Sequence, residues 1–260
     1  MIIAAVQNRP AFGQIDNNLE AVCNMVKDKE FDLLVLPELF ATGYQFKSKE
    51  EAQEYADVAG EGKTFERLSS LSAEKRAVIV YGFPERQGDH LFNSAAAVAP
   101  DGTSLVYQKT HLFDTEKNIF DPGLTGFRLF EYDRVRFGLM VCFDWRFPEA
   151  ARKLALDGAQ IICHPSNLVL PHCPDAMITR ALENNVFTVT ADRVGSENRT
   201  GAPLRFIGRS RIIAPDGVIL GELSETETGF VDAEIEPELA DKKRITPGND
   251  IFVDRRPEYY

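Results

Sequence analysis

Three residues of this 260-residue chain could do chemistry together, and each closes an apolar run. Glu38 follows LLVLP, Lys109 follows SLVYQ and Cys142 follows GLMV. Short apolar runs with polar ends read as buried strands. Strand ends, where loops begin, are where α/β proteins place reactive groups. A carboxylate, an ammonium and a thiol make a base, a cation and a nucleophile, the set that acyl transfer requires. Each residue also has a plain structural reading. Glu38 could cap the next segment, Lys109 could end a solvated hairpin, and Cys142, beside Met140 and Val141, could pack as a small hydrophobe. Cys142 stands where an apolar run, 135–141, turns into helical sequence, 148–157, stopped by Gly158. The positive end of that helix is expected to lower the thiol pKa toward the reactive thiolate.

The elements that must position these residues alternate along the chain. Residues 2–6 form an apolar first strand. Asp16 or Asn17 can cap a helix with Leu19, Val22, Met25 and Val26 on one face. Residues 33–36 form a second strand, 64–76 a helix carrying Phe65, Leu68 and Leu71, and 77–81 a third strand. Residues 93–98 and 104–108 flank a Pro100-Asp101-Gly102 turn and read as a hairpin. The second half follows the same plan, with strands at 135–141, 159–163 and 186–191 and helices at 148–157 and 174–184. A second hairpin, 210–214 with 218–223, surrounds Pro215-Asp216-Gly217. The string APDG thus occurs twice, at equivalent places. Two independent turns of common chemistry would also produce it, but the shared order of elements favours an internal repeat. Strand–helix alternation plus hairpins predicts an α/β fold of two mixed sheets with helices outside.

Composition narrows the partners. The chain is 44% hydrophobic and 27% charged, with net charge −11. These are values for a globular protein with ample core. No long Lys/Arg run is present, so no nucleic-acid partner is expected. No stretch approaches the roughly 20 apolar residues that span a bilayer, and MIIAAVQNRP lacks the basic n-region of a signal peptide; no membrane partner is expected. Four cysteines, at 23, 142, 163 and 173, form no CxxC pair, which suits a reducing, cytoplasmic setting. CHPSNLVLPHC, 163–173, matches no zinc-ligand spacing, so no metal is expected there. The tail, 235–260, is charged and ends DRRPEYY. Tyr259 and Tyr260 beside Arg255 and Arg256 read as a docking extension, appended to a single domain of 1–234, that meets a partner subunit.

Three segments carry a family resemblance. LPELFATGY (36–44), YQKTHLF (107–113) and VCFDWRFPE (141–149) resemble the motifs of the nitrilase superfamily of carbon–nitrogen hydrolases, in its aliphatic amidase and nitrilase-like branch. GFPE (82–85), FNSAAAVAPDG (92–102), HPSNLVLP (164–171), RALENN (180–185), GRSRIIAPDG (208–217) and the DIFVDRRPEYY tail are similar to that family in the same order. The likeness therefore covers nearly the whole chain, far beyond one short pattern.

The resemblance implies a four-layer αββα sandwich and a Glu-Lys-Cys triad at Glu38, Lys109 and Cys142. It also implies a second glutamate, for which Glu116 is in place, positioning substrate or Lys109. The expected reaction is hydrolysis of a small aliphatic amide to a carboxylic acid and ammonia through a Cys142 thioester, with no cofactor. The Phe143 N–H and Lys109 would hold the oxyanion. Tyr44 and Asn167 would shape the pocket mouth. Arg146 would pair with carboxylates at the corner or face the pocket. A homodimer or larger assembly is implied as well. A nitrile substrate, or an N-carbamoyl amine or amino acid, would use the same residues. Two other readings are a Cys-His hydrolase based on His111 or His164, for which no Asn or Asp orienter is legible, and an inactive binding protein of the same fold.

Overall fold

Three parallel strands, buried on both faces, organise the first half of the chain. In the computed structural model, which describes residues 1–259, β1 (Ile2–Gln7), β2 (Leu33–Val35) and β3 (Val78–Gln87) run parallel. Ile3, Ala5, Leu33, Val35, Val78 and Val80 point into a core shared with the second half. Their neighbours Ala4, Val6, Leu34 and Ile79 point the other way, onto α1 (Ile15–Val26) and α3 (Gly62–Lys75) through Leu19, Val22, Leu68 and Leu71. A strand apolar on both faces must be covered on both faces. A short helix, α2 (Lys49–Glu54), lies between α1 and α3 in the chain. The hairpin β4 (His90–Val98) and β5 (Ser104–Gln108) extends the sheet beside β3.

The second sheet contains β6 (Leu129–Tyr132), β7 (Val135–Leu139), β8 (Ile161–Pro165), β9 (Phe187–Ala191), β12 (Arg211–Ile213) and β13 (Ile219–Glu222). Helices α4 (Pro148–Leu156) and α5 (Cys173–Asn184) cover its outer face. A separate ribbon pairs β10 (Val194–Glu197) with β11 (Leu204–Ile207). The last long strand, β14 (Gly229–Glu234), returns to pair antiparallel with β1. The two six-stranded sheets run β14-β1-β2-β3-β4-β5 and β6-β7-β8-β9-β12-β13. Each has one antiparallel edge strand, three parallel strands and a hairpin. The layers are thus α, β, β and α, as expected.

The repeat extends to the turns. Ala99 N–H donates to the Thr103 carbonyl at 2.8 Å, and Ala214 N–H to the Val218 carbonyl at 2.8 Å. Gly102 and Gly217 have φ of 84° and 83°, a left-handed conformation that glycine adopts without steric cost.

Several expectations need correction. Neither Asp16 nor Asn17 caps α1; Gln14 occupies that place, and its side chain accepts from Asn17 Nδ2 at 3.3 Å rather than from the helix backbone. Asn18 instead bonds Ala11 and the Ala41 carbonyl, so the loop on which the helix begins is fastened directly to the loop after Glu38. Strand β3 runs to Gln87 rather than ending at 81, because its second half pairs with the start of β4. Part of the tail, as far as Phe252, packs on its own chain, a contact distinct from the subunit docking expected of it. Asp241 pairs with Arg136 at 2.6 Å, Lys243 Nζ donates to the Asn184 and Asn185 carbonyls, and Lys243 also lies over the Phe252 ring. Ile245, Val253 and Tyr259 remain exposed; Tyr260 lies outside the described residues. No helix among the described residues is long and apolar enough to cross a membrane.

Candidate active site

The ends of β2, β5 and β7 converge on one buried polar cluster. Glu38 lies three residues beyond β2, in a turn whose next residue, Leu39, has φ 49°. Gly82 of β3 backs directly onto it. A Cβ at position 82 would stand 2.5 Å from Glu38 Cα and 2.8 Å from Leu39 N, both backbone atoms that cannot swing aside. Lys109 directly follows β5. Its N–H donates to the Asn93 carbonyl at 2.8 Å, and its carbonyl accepts from Gly123 N–H at 3.0 Å. Cys142 begins a 3-10 turn, Cys142–Arg146, with φ 42°. A cysteine in the left-handed region is strained, and such strain persists where surrounding bonds hold it.

Those bonds are visible. His164 Nε2 lies 2.8 Å from the Cys142 carbonyl, so it carries the proton and donates it. Burial lowers the His164 pKa to about 4, which keeps the ring neutral. Thr190 Oγ1 lies 3.1 Å from His164 Nδ1 and can donate to it. Asp144, fully buried, accepts from Val141 N–H at 2.9 Å, Tyr107 O–H at 2.7 Å and His111 N–H at 3.1 Å. One carboxylate therefore ties the cysteine turn to the segment that carries Lys109.

Lys109 Nζ, with no solvent exposure, donates to Glu38 Oε1 at 2.7 Å and to Glu116 Oε1 at 2.8 Å. Burial acts to lower the lysine pKa, but the Glu116 and Glu38 carboxylates outweigh it and hold it above its ordinary value. Burial raises Glu38 to about 7 against the attraction of Lys109, and Glu116 adds to the rise. Asn93 Nδ2 also donates to Glu38 Oε1, at 2.7 Å, while Glu38 Oε2 has no hydrogen-bond partner among the described residues. Glu116 accepts from Tyr44 O–H at 2.6 Å and Phe113 N–H at 3.1 Å.

The expected lowering of the Cys142 pKa is not found. Burial pushes the thiol well above its ordinary value; Glu38 and Glu116 raise it further, while Lys109 and the Asn167 N–H oppose them. The helix α4 starts only at Pro148, after the 3-10 turn, and desolvation dominates.

The other sequence candidates separate. Asn167 Nδ2 donates to the Glu38 carbonyl at 2.8 Å, and Tyr44 O–H goes to Glu116, so both polar ends meet the cluster itself. Phe143 lines the pocket beside the thiol. Arg146 is exposed, lies 5.5 Å over the Trp145 ring and makes no ion pair among the described residues. His111 Nδ1 lies 2.8 Å from Asp144 Oδ1, an orienting carboxylate that spacing did not reveal, but its ring stacks on Phe147 at 3.7 Å. Sequence reasoning also missed Asn93, His164 and Gly82 as positioning residues, although each stands within a quoted motif. A polar residue inside an apolar strand needs a buried partner, and that was the available signal.

The pocket at Cys142 is small, about 20 Å³, lined by Phe113, Phe143, Trp145, Asn167, Leu168, Val169 and Leu170. A larger cavity of about 710 Å³, beside Met1, Phe187 and Leu239, contains none of the cluster. Among the described residues no group of three or more His, Cys, Asp or Glu is arranged to hold a metal ion.

A paired-sheet sandwich with a thiol, a carboxylate and a buried ammonium at its strand ends defines a hydrolase of carbon–nitrogen bonds. The chain belongs to the carbon–nitrogen hydrolase family, whose model matches residues 2–244. It is 47% identical over 261 residues to a nitrilase of Pyrococcus abyssi, covering 99% of this chain and 98% of the relative. It is 30% identical over 270 residues to N-carbamoylputrescine amidase of Arabidopsis thaliana, covering 95% and 89%. A glutamate-to-glutamine mutant of an amidase from Nesterenkonia sp. AN1 shares the fold with TM-score 0.81 at 26% identity, covering 100% of this chain and 98% of that one; the mutant's structure shows acrylamide added at its active-site cysteine by Michael addition.

Proposed function

We propose that the chain hydrolyses a small aliphatic amide to a carboxylic acid and ammonia through a thioester on Cys142. One observation carries the reading: Glu38 keeps Oε1 bonded to Lys109 and Asn93 and leaves Oε2 unpartnered within the electrostatic reach of the thiol. Glu38 Oε2 takes the thiol proton as sulfur attacks the amide carbon, and the carbonyl electron pair moves to oxygen. Lys109 has three N–H donors and spends two on carboxylates. The third, with the Phe143 N–H, holds the oxyanion. The C–N bond breaks as Glu38 returns its proton to nitrogen, and ammonia leaves. Glu38 then takes a proton from water, whose oxygen adds to the thioester, and the departing sulfur recovers that proton. Glu116 and Tyr44 fix Lys109, and Asn167 fixes the Glu38 turn. The apolar pocket walls favour an uncharged, short acyl group.

A nitrile is the second reading, supported by the name of the Pyrococcus abyssi relative. Incubation with propionamide, butyramide, propionitrile and an N-carbamoyl amine, followed by ammonia assay and intact-protein mass, tests both. Ammonia from the amides with an acyl adduct at Cys142 is the expected outcome. Turnover of the nitrile alone would overturn the amide assignment.

The pH profile follows from Glu38. The base must be ionised to accept the thiol proton, so kcat/KM is expected to fall about tenfold per unit as pH drops below about 7. The thiol, pushed upward by burial, adds no limb in the neutral range. A flat profile from pH 5 to pH 8 would contradict Glu38 as the base.

A further inference from the structure

Asn93 touches both Glu38 and Lys109. Its side chain donates to Glu38 Oε1 at 2.7 Å, and its carbonyl accepts the Lys109 N–H at 2.8 Å. It lies in β4, between β3, which Gly82 packs against the Glu38 turn, and β5, which leads into Lys109. It is fully buried, so these contacts are not exchanged for water.

We propose that Asn93 is a positioning residue that selects which oxygen of Glu38 acts as the base. Oε1 receives two donors, from Asn93 and from Lys109, and can receive little more. Oε2 is left as the open lone-pair site, and the carboxylate plane is fixed by two bonds rather than one. Without the amide donor, Glu38 can rotate about its terminal bond and offer either oxygen to Lys109. The Asn93 carbonyl bond also sets the height of Lys109 relative to Glu38, so base and cation are gauged from the same residue. A second consequence is electrostatic. The Asn93 donor stabilises the ionised carboxylate and counters the burial that raises it. This inference rests on the reading of Glu38 as the base for Cys142.

The test is the pH dependence of kcat/KM for ammonia release from propionamide, with butyramide as a second substrate. It compares wild type, Asn93→Ala and the near-isosteric Asn93→Asp. Loss of a hydrogen bond to a charged group corresponds to about one pKa unit. The acid limb is therefore expected to move up by about one unit in Asn93→Ala, with about a fivefold loss at pH 7 and about tenfold well below it. In Asn93→Asp the two carboxyls share a proton, and the limb moves up at least as far. Iodoacetamide labelling of Cys142, read by peptide mass, should show the same upward shift, which makes the result independent of substrate.

A structural role alone would lower the melting temperature and the active fraction but leave the limb in place; an unmoved limb in folded Asn93→Asp overturns the proposal. Cys142→Ala and Glu38→Gln separate this from failure of the parent reading. If both abolish turnover while the Asn93 variants leave the limb unmoved, only the Asn93 inference falls. If either retains wild-type turnover, the thioester reading falls and the inference falls with it.

Discussion

Replacing Cys142 by alanine is expected to reduce ammonia release from amides by at least about 10⁴-fold, because members of a nucleophile–base unit fail together. The fold should survive. Alanine removes one small buried group, and the strained φ of 42° is shared by either side chain, so the stability change should stay within about 1 kcal/mol. Three other free cysteines serve as internal controls. Cys163 and Cys173 have no exposure and Cys23 has 6%. Burial raises all three thiols. Cys142 is raised too, at 5% exposure, so neither burial nor pKa singles it out. Cys173 also has a buried carboxylate near it, Asp192, with an unpartnered oxygen; what differs at Cys142 is a carboxylate joined to a buried ammonium, the Glu38–Lys109 pair. Intact mass after incubation with a slow amide should therefore show an acyl adduct in wild type and none in the variant. Wild-type turnover by Cys142→Ala would remove the thioester route altogether.

Much of this arrangement was legible because strand ends announce themselves. LLVLP, SLVYQ and GLMV each stop at a residue of the buried polar cluster, and the repeated APDG marked two hairpins that occupy matching places in the two sheets. Less was legible where the determining contact is distant in sequence. β14 is a short half-exposed strand, and only its pairing with β1, more than two hundred residues away, makes it the edge of the first sheet. β10 and β11 form a ribbon of mixed burial whose period suggests nothing; its Glu197 reaches across to bond the Tyr44 and Gln45 N–H groups. The helix-end argument for Cys142 failed for a physical reason, since the charge of a helix terminus falls off within a turn while desolvation acts on the whole thiol. The roles of Asn93 and of Asp144, which stands inside VCFDWRFPE, escaped because a buried polar side chain reveals its partner only in three dimensions.

Substituting Lys109 by methionine is expected to be nearly as severe as losing the thiol, through two separate effects. The side chain keeps its length but not its charge. An oxyanion donor disappears, which by itself costs about 10²–10³-fold in kcat. Glu38 and Glu116 are then left in a dry site without the cation between them, and Glu38 is pushed further above about 7. At pH 7 it is protonated and cannot accept the thiol proton, which adds about another tenfold or more. Raising the pH should recover only the second loss, so the acid limb of the variant lies above that of wild type and its plateau stays low. Stability carries the same sign. A carboxyl whose folded pKa is raised contributes stability that is complete below its unfolded value near 4.5 and is lost as pH rises through the folded value. The variant should therefore be close to wild type in denaturant melts at pH 5 and weaker at pH 8, where removing one partner of a buried ion pair costs about 3–5 kcal/mol. Glu116 limits that deficit, because Tyr44 O–H and Phe113 N–H still bond it. Equal melts at the two pH values, or near-wild-type turnover at pH 7, would show that Lys109 neither holds Glu38 ionised nor meets the oxyanion.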